Sequence, residues 1–166
     1  QLPALVTRDH TGEARAYVIA VDLLLVDKGP AEGDAALAKA LATHPTVLAA
    51  AAVFPETVQP SEDRDGPLAG LPTADRFLHP LPAFAEHAEV GIVNVTTGQT
   101  GTPLSVPMLF RTRDKIELSF PLRAASIVVG QPLTIEPDRL LFGDHPIATG
   151  SNYALPISYY GPRRTI

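Results

Sequence analysis

The sequence predicts an α/β protein: a single domain with a mixed, mostly parallel central sheet flanked by helices, and a C-terminal β-hairpin region. Two apolar segments, residues 17–26 and 46–54, have the composition of buried strands. A helical segment over residues 35–43 separates them, and near the C-terminus two short apolar segments flank a Pro-Asp turn. Because parallel strands need a crossover connection, the first two strands and their helix predict a βαβ unit.

The βαβ unit is the centre of the predicted sheet. Residues 17–26 are almost continuously apolar, interrupted only by Asp22, as expected for a strand covered on both faces. Asp34 is a suitable N-cap for the helix, and Leu37 and Leu41 lie four residues apart on one of its faces. The second strand contains four consecutive alanines, which weaken its intrinsic strand preference.

The segments around this unit are less regular. Residues 1–15 are polar, which fits either a frayed terminus or the last part of a helix leading into the first strand. Residues 55–81 contain five prolines and a charged run, which predict a long irregular surface loop, more consistent with mobility than with function. A short helix over residues 82–88 and a strand over residues 90–96 follow, and a glycine-bounded turn occupies residues 98–101.

The C-terminal part combines strands with one helix. Pro107 places the strand predicted over residues 104–111 at a sheet edge or a bulge. Gly130 ends a helix predicted over residues 121–129. The last elements are two hairpin strands and a final strand, at residues 133–136, 140–142 and 154–160.

Composition excludes several classes of function. The chain has 166 residues, enough for one domain, and a net charge of −5, which argues against nucleic-acid binding because phosphate contacts need a basic face. The absence of cysteine excludes disulfides, Cys-ligated zinc and thiol nucleophiles. No apolar run approaches the roughly 20 residues of a membrane helix. Since the chain begins at Gln1, we expect it to be an excised part of a longer protein.

Three polar residues are candidates for ligand contact. Asp22 lies in the apolar strand, where its carboxylate needs hydrogen-bond donors or a counter-charge; it bonds either loop amides or a ligand. Asp27 begins the acidic loop DKGPAEGD at the end of that strand, where open α/β sheets bind ligands. The loop lacks the spacing of a calcium site, which favours the alternative that Asp34 caps the helix while the other carboxylates face water. Asn94 either braces a neighbouring loop or points into a pocket.

The sequence carries no recognisable catalytic motif. Neither G-x-S-x-G nor S-x-x-K occurs, the five histidines lack metal-ligand spacing, and the GQTG turn lacks the lysine of a phosphate loop. We therefore predict no catalytic residues, no metal and no cofactor. A triad assembled from distant residues is the alternative.

Five segments, taken in order, resemble the CHASE domain of type two, an extracytoplasmic sensory module of bacterial receptors. They are VIAVDLLLVDKGP, GDAALAKALATHPTVLAAA, LPAFAEHAEVGIVNV, SFPL and LPISYYGP, and the resemblance spans about residues 16–162. The resemblance is based on the order and spacing of these five segments. The chain departs from the family after its Val-Asn strand, where GQTGTPLS replaces the usual D-G-x-x-R, and at its start, where the family usually has another strand and helix.

The resemblance implies a receptor layout. It predicts a non-catalytic sensory domain outside the inner membrane, between transmembrane helices that lie outside this chain, coupled to a cytoplasmic cyclase, kinase or cyclic-dinucleotide enzyme. It implies an unknown small-molecule or protein signal as partner and is compatible with a homodimer. The alternative is a secreted periplasmic solute-binding module or a small α/β hydrolase.

Overall fold

The computed structural model describes residues 6–8, 14–55, 68–71, 73–112, 114–137, 139–159 and 161. Helices and strands are mixed along this part of the chain, as predicted, although strands predominate. The helices are α1 (Ala31–Leu41), α2 (Pro82–Ala85) and α3 (Phe120–Val129). The strands are β1 (Val6–Arg8), β2 (Ala14–Ala16), β3 (Ile19–Val21), β4 (Thr46–Val53), β5 (Arg76–Leu78), β6 (Glu89–Ile92), β7 (Thr96–Thr97), β8 (Pro103–Pro107), β9 (Leu109–Arg111), β10 (Ile116–Leu118), β11 (Leu133–Glu136), β12 (Arg139–Phe142), β13 (His145–Ile147) and β14 (Ala154–Pro156).

The predicted βαβ unit is present as β3, α1 and β4. β3 runs parallel to β4, with Ile19 opposite Thr46 and Val21 opposite Leu48. α1 connects them and buries Leu41 against Leu48, as its apolar spacing predicts.

The start of α1 differs from the prediction. The residue at the N-cap is Pro30, and the helix begins at Ala31, so the prediction that Asp34 caps it is wrong. Asp34 lies in the first turn instead, where its carboxylate accepts a hydrogen bond from the Gly29 N–H at 3.1 Å. Proline is accommodated here because the first N–H groups of a helix have no intrahelical acceptor. The carboxylate still lies at the positive end of the helix dipole.

β4 lies at the centre of a mixed sheet. It pairs in parallel with β3 and β6 and in antiparallel with β5. All other pairings between the described strands are antiparallel: β1–β2, β7–β8–β14, β9–β10 and β11–β12–β13. The predicted parallel arrangement is therefore limited to β3, β4 and β6.

Alanines suit β4 because both of its faces are covered. Leu48 packs with Leu41 of α1 and Phe84 of α2. On the opposite face, Ala49 lies beside Gly91 of β6, where a Cβ atom added to the glycine would stand 2.5 Å from the Phe120 Cα. The backbone of α3 thus contacts the sheet directly, which leaves room for small side chains only. Packing between two layers outweighs the weak strand preference of alanine.

The strands around β4 close into a ring of backbone pairings. β4 pairs with β6, and Ile92 of β6 forms a parallel bridge with Ser119, directly after β10. β10 pairs with β9, whose Arg111 bridges Thr73, and the chain then enters β5 and returns to β4. Side chains from around this ring pack in one cluster formed by Ala50, Ala52, Ala74, Ile92 and Phe110.

The helix and the hairpin that were predicted in the C-terminal half are confirmed. α3 begins after Ser119, whose hydroxyl accepts a hydrogen bond from the Leu122 N–H, and ends at Gly130 with φ 63°. β11 and β12 form the hairpin; Asp138 in its turn lies outside the described residues. The side chains of this half pack in a second cluster, formed by Leu71, Met108, Leu109, Leu122, Leu140, Phe142 and Tyr153.

Several strands differ from the predicted ones. The strand predicted over residues 104–111 is divided at Met108 into β8 and β9, directly after Pro107. The segment predicted over residues 90–96 is divided into β6 and β7, and the final strand ends at Pro156. The regions predicted as a frayed terminus and an irregular loop contain β1, β2 and β5; the other residues of these regions at 1–5, 9–13, 56–67 and 72 lie outside the described ones.

Candidate functional site

Asp22 and Asp27 lie in the segment that follows β3. The strand ends at Val21, so the prediction of a buried strand over residues 17–26 is wrong, and both carboxylates are exposed to solvent. Asp22 therefore needs no buried partner. The pattern failed because an apolar run predicts burial only when another element covers it.

Asn94 serves as a brace for β4. Its Oδ1 accepts a hydrogen bond from the Ala52 N–H at 2.7 Å, and its Nδ2 donates to the Ala52 carbonyl at 2.9 Å. The chain leaves β6 after Ile92, and Val93 still donates its N–H to the Ala50 carbonyl at 2.9 Å. The Asn94 side chain thus takes the place of one more strand residue beside β4. Of its two predicted roles, the structure supports the brace.

The three predicted residues follow two different strands, and β4 lies between those strands. β3 and β6 lie on opposite sides of β4, so Asp22 and Asn94 follow strands that β4 separates. The Oδ1 and Nδ2 atoms of Asn94 are both hydrogen-bonded to the backbone of Ala52. Within the part of the chain that the structure describes, no group of three or more His, Asp or Glu residues could hold a metal ion.

The most unusual surface near these residues is apolar. Four large side chains just before β3, within it and in the loop after it are exposed, and we call them the β3 surface: Tyr17 (44% exposed), Ile19 (43%), Leu23 (62%) and Leu24 (47%). Single exposed apolar residues are ordinary, whereas four within eight consecutive positions are typical of an interaction site. Sequence reasoning missed it because the same composition also fits a buried strand.

The backbone of β3 adds an open sheet edge to this surface. The Ile19 N–H donates to the Pro45 carbonyl at 2.9 Å, which directs it towards β4. Since alternate residues of a strand direct their backbone groups to opposite sides, the N–H and C=O of Ala20 face away from β4. Among the described strands β3 pairs with β4 alone. Within the described part of the chain, its outer edge therefore has no strand partner.

The loop after β3 is anchored at its middle. The Leu25 carbonyl accepts a hydrogen bond from the Leu81 N–H at 2.9 Å, and the Leu25 side chain packs against the cluster around Leu48 and Phe84. Leu23 and Leu24 directly precede this anchor. The anchor at Leu25 therefore holds the adjacent backbone in a position that leaves the side chains of Leu23 and Leu24 exposed.

Arg123 and two glutamates brace α3 against β6. The Arg123 Nε donates to the Val90 carbonyl at 3.1 Å. Its two terminal nitrogens lie 3.5 Å from a Glu89 carboxylate oxygen and 3.6 Å from a Glu117 one. The guanidinium therefore links β6, β10 and α3, which accounts for it in structural terms.

No family model, curated protein or solved structure matches this chain. No helix in the described part is long and apolar enough to span a bilayer.

Proposed function

We propose that this chain is an extracytoplasmic sensory domain of a membrane-bound bacterial receptor, similar to the CHASE domain of type two. The domain is non-catalytic and passes its signal to a cytoplasmic cyclase, kinase or cyclic-dinucleotide enzyme. The observation that supports it most is that the resembling segments coincide with structural elements in order. They cover β3 and its loop, α1 with β4, α2 with β6, the start of α3, and β14 with the residues after it.

The residues that carry the resemblance have structural roles in this chain. In the segment G-I-V-N, Gly91 admits the backbone of α3, and Asn94 braces β4. The Ser119 hydroxyl in S-F-P-L caps α3. A motif composed of packing and bracing residues specifies a fold without specifying a ligand. This supports a single domain organised around the parallel strands β3, β4 and β6.

The departure from the family after Asn94 is compatible with the same fold. The turn that replaces D-G-x-x-R is closed by its own backbone, because the Gly98 N–H donates to the Thr102 carbonyl at 2.8 Å. Gly101 provides the positive φ of 77° that the turn requires. No acid-arginine pair is needed to hold it.

The proposed mechanism is a shift between association states. A small-molecule or protein signal acts only if it binds one arrangement of the receptor more tightly than the other. The β3 surface provides a place where association can differ between two arrangements.

Topology mapping of the complete gene product tests the proposal. Alkaline phosphatase, which needs disulfides and matures only outside the cytoplasm, is fused after residue 161, and β-galactosidase is fused there as the cytoplasmic control. We expect phosphatase activity in the membrane fraction. Activity of β-galactosidase alone would contradict an extracytoplasmic location. Phosphatase activity released as a soluble periplasmic protein would favour the solute-binding or hydrolase alternative.

A further inference from the structure

The β3 surface combines two features that a monomer rarely exposes together. One is a strand edge whose backbone donors and acceptors face outward, and the other is a row of large apolar side chains beside it. Native edge strands are commonly protected by lysine, proline, a bulge or a covering element. Residues 17–21 contain neither lysine nor proline, and their side chains are exposed or only half-buried.

We propose that the occupant of this edge is a second copy of the chain, with β3 pairing antiparallel to its symmetry mate about a two-fold axis at Ala20. The inference adds a partner to the proposed function. The dimer itself does not depend on that function, and only the role of the dimer in a receptor rests on it. The pairing itself can be tested on the isolated chain.

The register is self-complementary. Because the backbone groups of Ala20 face outward, Ala20 of each copy donates its N–H to the Ala20 carbonyl of the other. The same register sets Ile19 opposite Val21 of the second copy, with their Cβ atoms close together as in a non-hydrogen-bonded pair. If the pairing continues past the two ends of β3, Tyr17 comes opposite Leu23. Exposed apolar residues of one copy therefore meet apolar residues of the other.

The charges are compatible with this arrangement. Among the described residues on either side of β3 in the sequence, the exposed carboxylates follow the strand, at Asp22, Asp27 and Glu32. An antiparallel pair sends the two acidic loops to opposite ends of the interface. Asp22 directly follows β3, and if its backbone continues in the direction of the strand, Asp22 and its mate are four residues apart, roughly 14 Å, which exceeds the Debye length of about 8 Å at physiological salt. Parallel pairing would set the two loops side by side, and its acid-acid repulsion disfavours it.

The small size of the patch limits the strength of the pairing. Standard interfaces contain about 20 to 30 residues on each side, whereas this one centres on a three-residue strand and four exposed side chains. We therefore expect a weak, concentration-dependent dimer. In a receptor, attachment to one membrane would raise the effective concentration and make such a weak contact sufficient.

Cysteine cross-linking tests the position of the axis, and the absence of native cysteine makes each introduced thiol unique. In Ala20→Cys, the two Cα atoms of a hydrogen-bonded antiparallel pair are about 5.5 Å apart, within the range of a disulfide. Leu104→Cys, on β8 and 52% exposed, is the control. Under mild oxidant we expect Ala20→Cys to form dimers at least about tenfold faster than Leu104→Cys. Equal rates for the two variants would overturn the proposal.

Backbone substitution tests the hydrogen bonds themselves. Ala20→Pro removes the outward N–H and leaves the bonds to β4, since proline is tolerated on an edge strand whose N–H faces solvent. Ala20→Ser keeps that N–H and is the matched control. In sedimentation equilibrium we expect proline to raise the dimer Kd at least about tenfold and serine to change it less than about threefold. Circular dichroism reports whether each variant folds.

If Ala20→Pro does not fold, Leu23→Lys and its control Leu104→Lys decide the question. Leu23→Lys sets a charge against apolar residues of the mate and should weaken the dimer at least about tenfold, with Leu104→Lys unchanged. A wild-type chain that stays monomeric at about 1 mM, or a dimer that neither Ala20→Pro nor Leu23→Lys weakens, overturns the pairing. These outcomes leave the topology experiment untouched, so failure of the interface and failure of the proposed function are distinguishable.

Discussion

At the scale of single residues, polar groups within the sheet complete backbone pairings. Asn94 bonds both backbone groups of Ala52, and Ser119 caps α3 while directing its Oγ–H towards the Met108 Sδ at 3.8 Å. Each side chain satisfies backbone groups that would otherwise be left unpaired near the core, and an unpaired buried group costs about 1–3 kcal/mol. A polar residue in an apolar run is thus weak evidence for ligand binding until its own partners are known.

Replacement of Asn94 tests this role. Asn94→Ala leaves the N–H and C=O of Ala52 without their partners, and we expect it to lower the free energy of unfolding by about 2 kcal/mol. Asn94→Asp should also destabilise, because a carboxylate oxygen would face the Ala52 carbonyl. Urea denaturation followed by circular dichroism measures both variants. Gln99→Ala, in the exposed turn after β7, is the control, expected within about 0.5 kcal/mol of wild type. A neutral Asn94→Ala variant would show that the brace adds nothing to stability.

At the scale of elements, the closeness of α3 and β6 organises the centre of the protein. α3 approaches the sheet at Gly91, and Arg123 of the same helix bonds the Val90 carbonyl and faces two carboxylates. The close contact at Gly91 and the charged contacts of Arg123 therefore both hold α3 to β6. Its N-terminus begins at the Ser119 bridge to β6. The start of α3 is thus held to the sheet by a backbone bridge, by close contact and by charge.

Two glycine-to-alanine changes separate contact from conformation. In Gly91→Ala the new Cβ meets the Phe120 backbone at 2.5 Å, so helix and sheet must separate, and we expect a loss of about 2–3 kcal/mol. In Gly33→Ala, within α1, nothing lies within 4 Å of the new Cβ, and alanine should stabilise the helix by about 0.5–1 kcal/mol. Thermal or urea unfolding compares the two. Equal effects of the two substitutions would be inconsistent with the contact at Phe120.

At the scale of the whole molecule, stability is expected to be uneven. Val47 to Ala50 in β4 have no solvent-exposed surface, whereas β3 on the same sheet lies at an open edge. Local opening needs little free energy where few apolar contacts must be broken. The chain therefore combines a rigid central strand with an edge strand that is easy to open or to pair.

Amide hydrogen exchange measures this difference. We expect the amides of residues 47–50 to exchange only through global unfolding, and the outward N–H of Ala20 to exchange fast in dilute solution. Raising the protein concentration should protect Ala20 if it is bonded across the proposed two-fold axis. Strong protection of Ala20 at micromolar concentration would mean that another element already covers the edge.

Much of the fold could be predicted from local pattern. Leu37 and Leu41 identified α1, the apolar run with its alanines located β4, and Gly130 marked the end of α3 within one residue. Short strands such as β5, β10 and β13 were missed, since three residues carry too little periodicity to distinguish them from loop. Asp22 was placed inside a strand because the leucines after it continue the apolar run, although the ordered strand stops at Val21.

Local patterns in the chain were enough to predict the mixture of helix and strand and the parallel βαβ unit, because these follow from periodicity and from the crossover that parallel strands require. The packing of the folded chain was needed to establish that Asn94 hydrogen-bonds the backbone of β4, that Gly91 admits α3, and that large apolar residues in and around β3 face solvent. Burial and hydrogen bonding each depend on two surfaces in contact, whereas a pattern in the sequence describes only one of those two surfaces.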